Sequence, residues 1–332
     1  MPLNAYRSVV EPCRRRLGNV LTSLLPAAQI RKSVLRSNDL ALYVDTETTR
    51  PQFPVGPASP AASEARQSSP RLVSSLCRTD QLESQAFRDW AVRLRLDFAY
   101  HRKLWEYCFV CQALDERGLL ASGRRGLGFA VGREPLPALF ASLGCQVLAT
   151  DLDVGDPRTG VWSSTRQWAG ETAALDRGGL CDPELLRERV SVRPVDMNHI
   201  PNDLGGFDFT WSSCSFEHCG SITLGMEFLC RQMQCLKPGG VAVHTTEFNL
   251  TSNRRTITRG DTVIFRRRDI EKIVRRLIDA GHSVEPLDLT IGDHAYDQLV
   301  DRPPFERGPA HLRLVLGRYA VTSIGLIIRK AD

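Results

Sequence analysis

The sequence lacks an apolar run long enough to cross a membrane, and its start lacks a compact apolar segment followed by a cleavage site. The first absence argues against a transmembrane helix and the second against secretion, so we expect a cytoplasmic protein. Hydrophobic residues make up 42% of the 332 positions, which is ordinary for a soluble globular chain. This length allows one large domain or two small ones.

Acidic residues are nearly absent from residues 1–36, which hold seven arginines and lysines but only Glu11. This segment therefore carries a charge of +6, and the other residues sum to −1 within the total of +5. A body so close to neutral argues against a nucleic-acid partner. The basic segment is compatible with a weak contact to an anionic membrane surface, with a transit sequence, and with a solvated helix or tail.

Disulfide and metal-ligand patterns are missing, although the chain has ten cysteines. Because no signal peptide is evident, we expect reduced and mostly buried thiols. Cys108 and Cys111 have the spacing of a redox or zinc pair, but they lie in a helical pattern and no second pair follows at a matching spacing. The sequence therefore predicts a structural helix at this pair and no metal site.

Large apolar residues are scarce in residues 46–78, which are rich in proline, serine and alanine. This composition predicts a flexible linker between a basic N-terminal segment, residues 1–45, and a folded domain, residues 79–332. Within that domain, helical spacing over residues 79–120 predicts two N-terminal helices.

From about Gly123 onward, strand-like and helix-like segments alternate. Asp182 is placed to cap one of the helices, and Pro183 stands in its first turn. This alternation predicts an α/β fold with a doubly wound, mostly parallel sheet and helices on both faces. Ligands bind such sheets at the carboxyl ends of the strands, near the point where the strand order reverses.

A third glycine is missing from the cluster that follows the first strand of this alternation. Gly126 and Gly128 fit the first two places of G-x-G-x-x-G, but Val131 occupies the third. In a shifted frame, GFAVG forms a turn ending at Gly132, whose small residues let backbone N–H groups approach a ligand. Asp151 ends the second strand and could hold the ribose of either a nicotinamide or an adenosyl cofactor.

Five segments, in order, resemble the class I S-adenosylmethionine-dependent methyltransferases, from about Gly123 to the C-terminus. GFAVG resembles the family's glycine loop, ATDLD its ribose-binding acid, and VDMN the segment that holds adenine. FDFTWSSCSFEH resembles the fourth-strand motif, and LKPGGVAVHTTEFN the turn and fifth strand. The resemblance implies a Rossmann-like methyltransferase fold with seven strands, an antiparallel last strand, and S-adenosyl-L-methionine as cofactor.

The resemblance also implies a role for individual residues. It places Asp151 on the ribose hydroxyls, Asp196 on the adenine amino group and Met197 behind the adenine ring. The whole set that it implies for the cofactor is Gly128, Phe129, Ala130, Gly132, Asp151, Leu152, Asp196, Met197 and Ser213. Gly126 departs from the family, which often has an acid there near the methionine amine. Amine recognition must then come from elsewhere, from backbone carbonyls or from the N-terminal helices.

The methyl acceptor is expected beyond the fourth and fifth strands, near Glu217, His218, His244 and Glu247. His218 is the candidate general base, because a neutral imidazole can take a hydroxyl proton. Glu217 and His244 are further catalytic candidates, and each of the three also has a structural interpretation. Trp168, in an insertion, could cap the cofactor or simply anchor the surface.

We expect methyl transfer to a hydroxyl of a sugar, a glycoconjugate or another small molecule. Two alternatives stay open: a non-catalytic S-adenosylmethionine-binding protein and a nicotinamide-dependent oxidoreductase. No motif indicates an oligomeric state.

Overall fold

Ten strands of the described part of the chain form one sheet, and helices cover both of its faces. The computed structural model describes residues 71–153, 155–156, 158, 175–176, 178–305 and 310–332. The basic segment 1–45, most of the expected linker, and Trp168 lie outside the described residues.

The strands are β1 Ser74–Leu76, β2 Arg125–Gly128, β3 Gln146–Asp151, β4 Val190–Pro194, β5 Phe207–Ser213, β6 Leu236–Asn249, β7 Ser283–Val284, β8 Leu287–Asp288, β9 Leu314–Leu316 and β10 Tyr319–Arg329. The helices are α1 Thr79–Glu83, α2 Gln85–Arg93, α3 Arg102–Asp115, α4 Leu136–Ser142, α5 Pro183–Arg189, α6 Ile222–Arg231 and α7 Arg267–Asp279. None of the helices in the described ranges combines the length and the apolar character needed to cross a bilayer.

The cap predicted at Asp182 is present. Its carboxylate accepts the backbone N–H groups of Glu184 and Leu185 at 2.8 and 3.2 Å. These bonds satisfy two donors that the first turn of α5 leaves without an intrahelical partner.

The sheet runs in the order β4-β3-β2-β5-β6-β10-β1-β8, and β7 and β9 also pair with β10. The neighbours from β4 to β6 are parallel, whereas β10 is antiparallel to β6. The chain moves outward from β2 to β4 and then returns to β5 on the other side of β2, so the strand order reverses between β2 and β5. The doubly wound sheet and the antiparallel last strand are confirmed.

The expected count of seven strands is wrong for this sheet. Four of the ten strands are only two or three residues long: β1 comes from the expected linker, β7 and β9 pair with β10, and β8 pairs with β1. Short strands of two or three residues carry too little alternation to be recognised in a sequence.

Side chains of β5 alternate between two buried faces, and all seven of its residues are buried. Phe209 and Trp211 pack against Phe140 of α4. Thr210 points the other way and donates a hydrogen bond of 2.7 Å to Gln232, just after α6. Burial on both faces explains why this strand lacks the polar positions of a half-exposed strand.

Helix α3 lies directly on the sheet, against β5, β6 and β10. A Cβ atom at Gly325 of β10 would overlap the ring of Phe109, so the missing side chain permits this close approach. Cys108 and Cys111 are buried free thiols on this helix, which confirms the structural helix predicted there. The packing brings the first turn of α3 to the carboxyl ends of the parallel strands.

Strand β1 corrects the expected boundary between linker and domain. Ser75 and Leu76 pair with β10, and the N–H of Cys77 donates to the carbonyl of Ser323 at 2.9 Å. Leu76 is 0% exposed and belongs to the core on the α6 and α7 side of the sheet. The folded unit therefore includes residues 74–78, which the serine-rich composition assigned to the linker.

Replacing Leu76 by Ala in the full chain should lower the free energy of unfolding by roughly 2–4 kcal/mol, because a buried leucine leaves a cavity that closes only in part. Val92 of α2 is 75% exposed, and Val92→Ala should change that free energy by less than about 0.5 kcal/mol. Urea unfolding followed by circular dichroism measures both variants. Equally small effects would place Leu76 outside the cooperative fold.

Candidate functional site

The loop after β2 is a tight turn built around residues with little or no side chain. A Cβ atom at Gly128 would overlap the indole of Trp211, so no larger residue fits there. Ala130 and Gly132 have φ angles of +48° and +52°, in the left-handed region that favours glycine. The turn therefore presents a surface of small residues at the end of β2.

The backbone N–H groups of this loop are used within the protein. Phe129 donates to the carbonyl of Trp211 at 2.9 Å, and Val131 donates to that of Thr150 at 3.0 Å. The Phe129 side chain is buried against Phe228. The N–H groups of Phe129 and Val131 thus hold the loop against β5 and β3. The sequence predicts that they face a ligand, and for these two groups that prediction is wrong.

Asp151 is held at the end of β3 by two backbone amides. Its Oδ1 accepts the N–H of Leu152 at 2.8 Å, and its Oδ2 accepts the N–H of Gly132 at 3.1 Å. Burial raises the pKa of Asp151 to about 6, against the opposing effect of these two hydrogen bonds. Each carboxylate oxygen can accept a further hydrogen bond, so the group can hold a pair of hydroxyls.

Asp196 follows β4 and is already bound to neighbouring side chains. It accepts from Arg158 Nη2 at 2.9 Å and lies 3.0 Å from His199 Nδ1, and it also accepts the N–H of Asn198. Burial acts to raise the pKa of Asp196, but these hydrogen bonds outweigh it and the pKa is lowered. Met197, next in the chain, is buried.

The missing acid at Gly126 has a steric cause. A Cβ atom at this position would overlap the ring of Phe209 on the neighbouring strand, so β2 cannot carry a carboxylate there. Glu134, after the glycine loop, is a buried acid that the sequence analysis missed. The Oε1 atom of Glu134 accepts the indole N–H of Trp211 at 2.5 Å, and Glu134 is 5% exposed. Burial raises its pKa to about 7, against the effect of the Trp211 hydrogen bond.

The first turn of α3 contributes a polar cluster that the sequence analysis also missed. Arg102 Nη2 lies 2.5 Å from Glu247 Oε1, and Lys103 Nζ lies 2.7 Å from Glu106 Oε2. The thiol of Cys214, the residue after β5, donates to Glu106 Oε1 at 2.9 Å. The spacing of Arg102 and Glu106, one turn apart in a mostly apolar helix, is the signal that could have revealed this cluster.

Glu217 and Glu247 are buried carboxylates close to the ends of β5 and β6. Glu217 Oε2 accepts the hydroxyl of Thr246 at 2.9 Å. Burial raises the pKa of both acids. Ser213, also among the predicted residues, ends β5, and its carbonyl accepts from Lys103 at 3.3 Å.

His218 is half-buried beside Glu217. Its Nδ1 lies 2.6 Å from the carbonyl oxygen of Asp261, which can only accept, so Nδ1 carries the proton of the neutral ring. Its Nε2 lies 3.9 Å from Glu217 Oε1. The ring therefore binds the backbone of the loop that contains Asp261, which is the structural role considered for His218 from the sequence. Its basic nitrogen, Nε2, faces the carboxylate of Glu217.

His244 lies inside the sheet, on the face opposite α3. It is 0% exposed, contacts the rings of Phe216 and Phe228, and has Nδ1 at 2.8 Å from the hydroxyl of Ser212. Burial lowers its pKa to about 3, so the ring is neutral. These surroundings are those of a core histidine, and we assign it no part in catalysis.

No protein-family model and no curated protein matches this chain. Solved structures that match it include S-adenosylmethionine-dependent methyltransferases. One, from Listeria monocytogenes, is 13% identical, with a TM-score of 0.40 over 66% of this chain and 98% of its own. The glycopeptide N-methyltransferase MtfA, in complex with S-adenosylmethionine, is 13% identical, with a TM-score of 0.41 over 71% and 96%. The [4+2]-cyclase SpnF is 18% identical, with a TM-score of 0.40 over 67% and 80%.

Proposed function

We propose that this protein is an S-adenosylmethionine-dependent methyltransferase, with its cofactor at the edge where β2, β3, β4 and β5 end. The observation that carries the proposal is Asp151, a half-buried carboxylate fixed by the amides of Leu152 and Gly132 next to the point where the strand order reverses. That is where doubly wound sheets bind nucleotide-like ligands.

The donor set at this edge fits an adenosyl cofactor. Asp151 can accept the two ribose hydroxyls, and the half-buried Ala130 and Gly132 present no side chain larger than a methyl group beside it. Asp196 and Met197 follow β4, on the side where the adenine would lie, although Asp196 would have to share its carboxylate with Arg158.

Glu134 supports this assignment from the other side of the loop. Gly126 cannot carry the acid that the family uses near the methionine amine, because Phe209 fills the space. Glu134 places a carboxylate in the same region, against Trp211 of β5. We propose that Glu134 receives the methionine ammonium, which would compensate a buried acid that otherwise has a costly environment.

The cofactor supplies an activated methyl group, so the protein must mainly align the acceptor and remove its proton. We propose a hydroxyl acceptor on a sugar, a glycoconjugate or another small molecule. His218 is our candidate base, because its protonated Nδ1 is engaged by Asp261 and its Nε2 can take a proton. A non-catalytic S-adenosylmethionine-binding protein is the alternative.

We further propose that the protein works in the cytoplasm. The nine cysteines in the described part of the chain are all free thiols, in keeping with a reducing compartment.

Replacing Asp151 by Ala should weaken the binding of S-adenosylhomocysteine and of methylthioadenosine by roughly 1.5–3 kcal/mol, because both carry the ribose and a hydrogen bond to a charged group contributes about that much. Asp153 is exposed and its carboxylate accepts the N–H of Gly155, so Asp153→Ala is the matched control and should bind as wild type. Isothermal titration calorimetry measures both. Wild-type affinity in Asp151→Ala would remove Asp151 from the ribose site.

Replacing Glu134 by Gln should separate stability from binding. In the folded protein the pKa of Glu134 is about 7, above its ordinary value of 4.5. The protonated acid therefore contributes fully to the stability of wild type below about pH 4.5. This contribution is lost as the pH rises through about 7. The unfolding free energy of Glu134→Gln relative to wild type should therefore rise by roughly 2–3 kcal/mol between about pH 5 and about pH 8.

The same variant should bind S-adenosylhomocysteine about tenfold or more weakly, because a charge-assisted hydrogen bond is lost. Methylthioadenosine lacks the amino-acid portion and should bind both proteins equally, which makes it the control ligand. If Glu134 were only a structural acid, both ligands would keep their wild-type affinity in calorimetry.

His218→Gln should lower methyl transfer by roughly 10²–10⁴-fold, the usual effect of losing a general base. The acceptor is first identified with methyl-labelled cofactor and a fractionated cell extract, where a base-stable methyl ether on a saccharide is the expected product. His282, between α7 and β7, supplies the control His282→Gln. Label only on nitrogen would reject the hydroxyl proposal, and wild-type turnover of His218→Gln would reject this base.

A further inference from the structure

Three donor atoms converge near the carboxyl ends of β5 and β6. The Sγ of Cys214 and one carboxylate oxygen each of Glu217 and Glu247 all lie within 4.8 Å of one another. These residues are not among those that the cofactor assignment uses. Cys214 is half-buried, so an ion can reach the group from solvent, while both acids are buried.

Glu247 offers an acceptor that the protein does not satisfy. Its Oε1 is paired with Arg102, but its Oε2 is buried and accepts no hydrogen bond from any described residue. The residue is 3% exposed, so water does not readily compensate for the missing partner. Leaving a carboxylate oxygen in this state is costly, and a cation would relieve the cost.

The charges around these three donor atoms also favour binding of a cation. Three buried carboxylates, Glu106, Glu217 and Glu247, face two cationic side chains, Arg102 and Lys103. Both cations approach Glu106 or Glu247, and Glu217 has instead the Thr246 hydroxyl and the ring of His218. Among the described residues, one negative charge of this group is left without a fixed cation, and a proton or a metal ion can balance it.

We propose that Cys214, Glu217 and Glu247 bind a divalent transition-metal ion, with zinc as the best match. Zinc accepts thiolate and carboxylate ligands at about 2.3 and 2.0–2.2 Å. The three donor atoms are close enough to reach one ion after small side-chain rotations. Magnesium and calcium prefer sites made only of oxygen, so the thiol argues against them.

Binding would release to solvent the Cys214 thiol proton and the proton that balances the charge of Glu217 and Glu247, and the hydrogen bond from the thiol to Glu106 would be exchanged for the metal–sulfur bond. Three protein ligands leave a fourth position open for water or for an oxygen of a substrate. The site does not depend on the proposed methyl transfer. If that proposal holds, the open position lies at the acceptor side, next to His218.

The test uses the full chain after treatment with a chelator. Zinc should bind with a stoichiometry of one ion per chain in competition with a chromophoric chelator. Cobalt(II) should bind to the same site and produce a thiolate-to-cobalt charge-transfer band in the near ultraviolet. Absence of binding, or a cobalt spectrum without that band, would overturn the proposal.

Variants assign the ligands. Cys214→Ser should abolish the band, and Glu247→Gln should lower zinc affinity by more than the roughly 10–100-fold typical of a residue behind the ligands. Cys230, a half-buried thiol on α6, supplies the control Cys230→Ser, which should leave both measurements unchanged. A band that survives in Cys214→Ser, or disappears in Cys230→Ser, would contradict the assignment.

A measurement on the unmodified protein covers the case in which Cys214→Ser fails to fold. Zinc should slow alkylation of Cys214 by iodoacetamide, followed by peptide mass spectrometry, and should leave the alkylation of Cys230 unchanged. An unchanged rate at Cys214 under saturating zinc would equally overturn the site.

Discussion

The ion pair between Arg102 and Glu247 joins the N-terminal helices to the parallel sheet at the edge where the candidate functional groups lie. It is 2.5 Å long and both side chains are buried, so loss of either partner would leave an uncompensated charge in the protein interior. The pair stands where α3 meets the end of β6, and the contact of Phe109 with Gly325 holds the rest of the helix on the sheet. Helix α3 thereby forms one wall of the candidate site.

Several acids lie at this edge of the sheet, and they differ in whether a cationic side chain lies close enough to keep them charged. Burial acts to raise the pKa of Glu106, but the nearby charges of Lys103 and Arg102 outweigh it and lower the pKa overall. Glu106 therefore stays charged. Burial raises the pKa of Glu134 to about 7, and this effect outweighs the hydrogen bond from Trp211 and the charge of Lys103. An acid of the second kind is prepared to receive a cationic ligand group, because binding supplies the charge that the protein withholds.

The sequence predicted the elements that depend on local patterns. The doubly wound sheet, the antiparallel last strand and the cap at Asp182 are present, because each follows from alternation or from a short motif. Strand β1 escaped prediction because Ser74 and Ser75 are buried by tertiary contacts that composition does not reveal. His244 illustrates the same limit, since only the sheet shows which face of β6 it occupies.

The candidate site was predictable only in part. Asp151 and the glycine loop are candidates from the sequence because each belongs to a short motif in one part of the chain. Arg102, Glu106 and Glu134 are not, because they come from separate elements that meet only after folding. The same holds for Cys214 and Glu247, whose donor atoms approach each other across the ends of two strands.

We infer that this edge of the sheet binds an adenosyl cofactor and not a nicotinamide. Calorimetric titration of the full chain with S-adenosylhomocysteine, and separately with NADPH, tests it most directly. We predict saturable binding of S-adenosylhomocysteine with one molecule per chain and no binding of NADPH. Binding of NADPH in place of S-adenosylhomocysteine, or of neither ligand, would contradict the account.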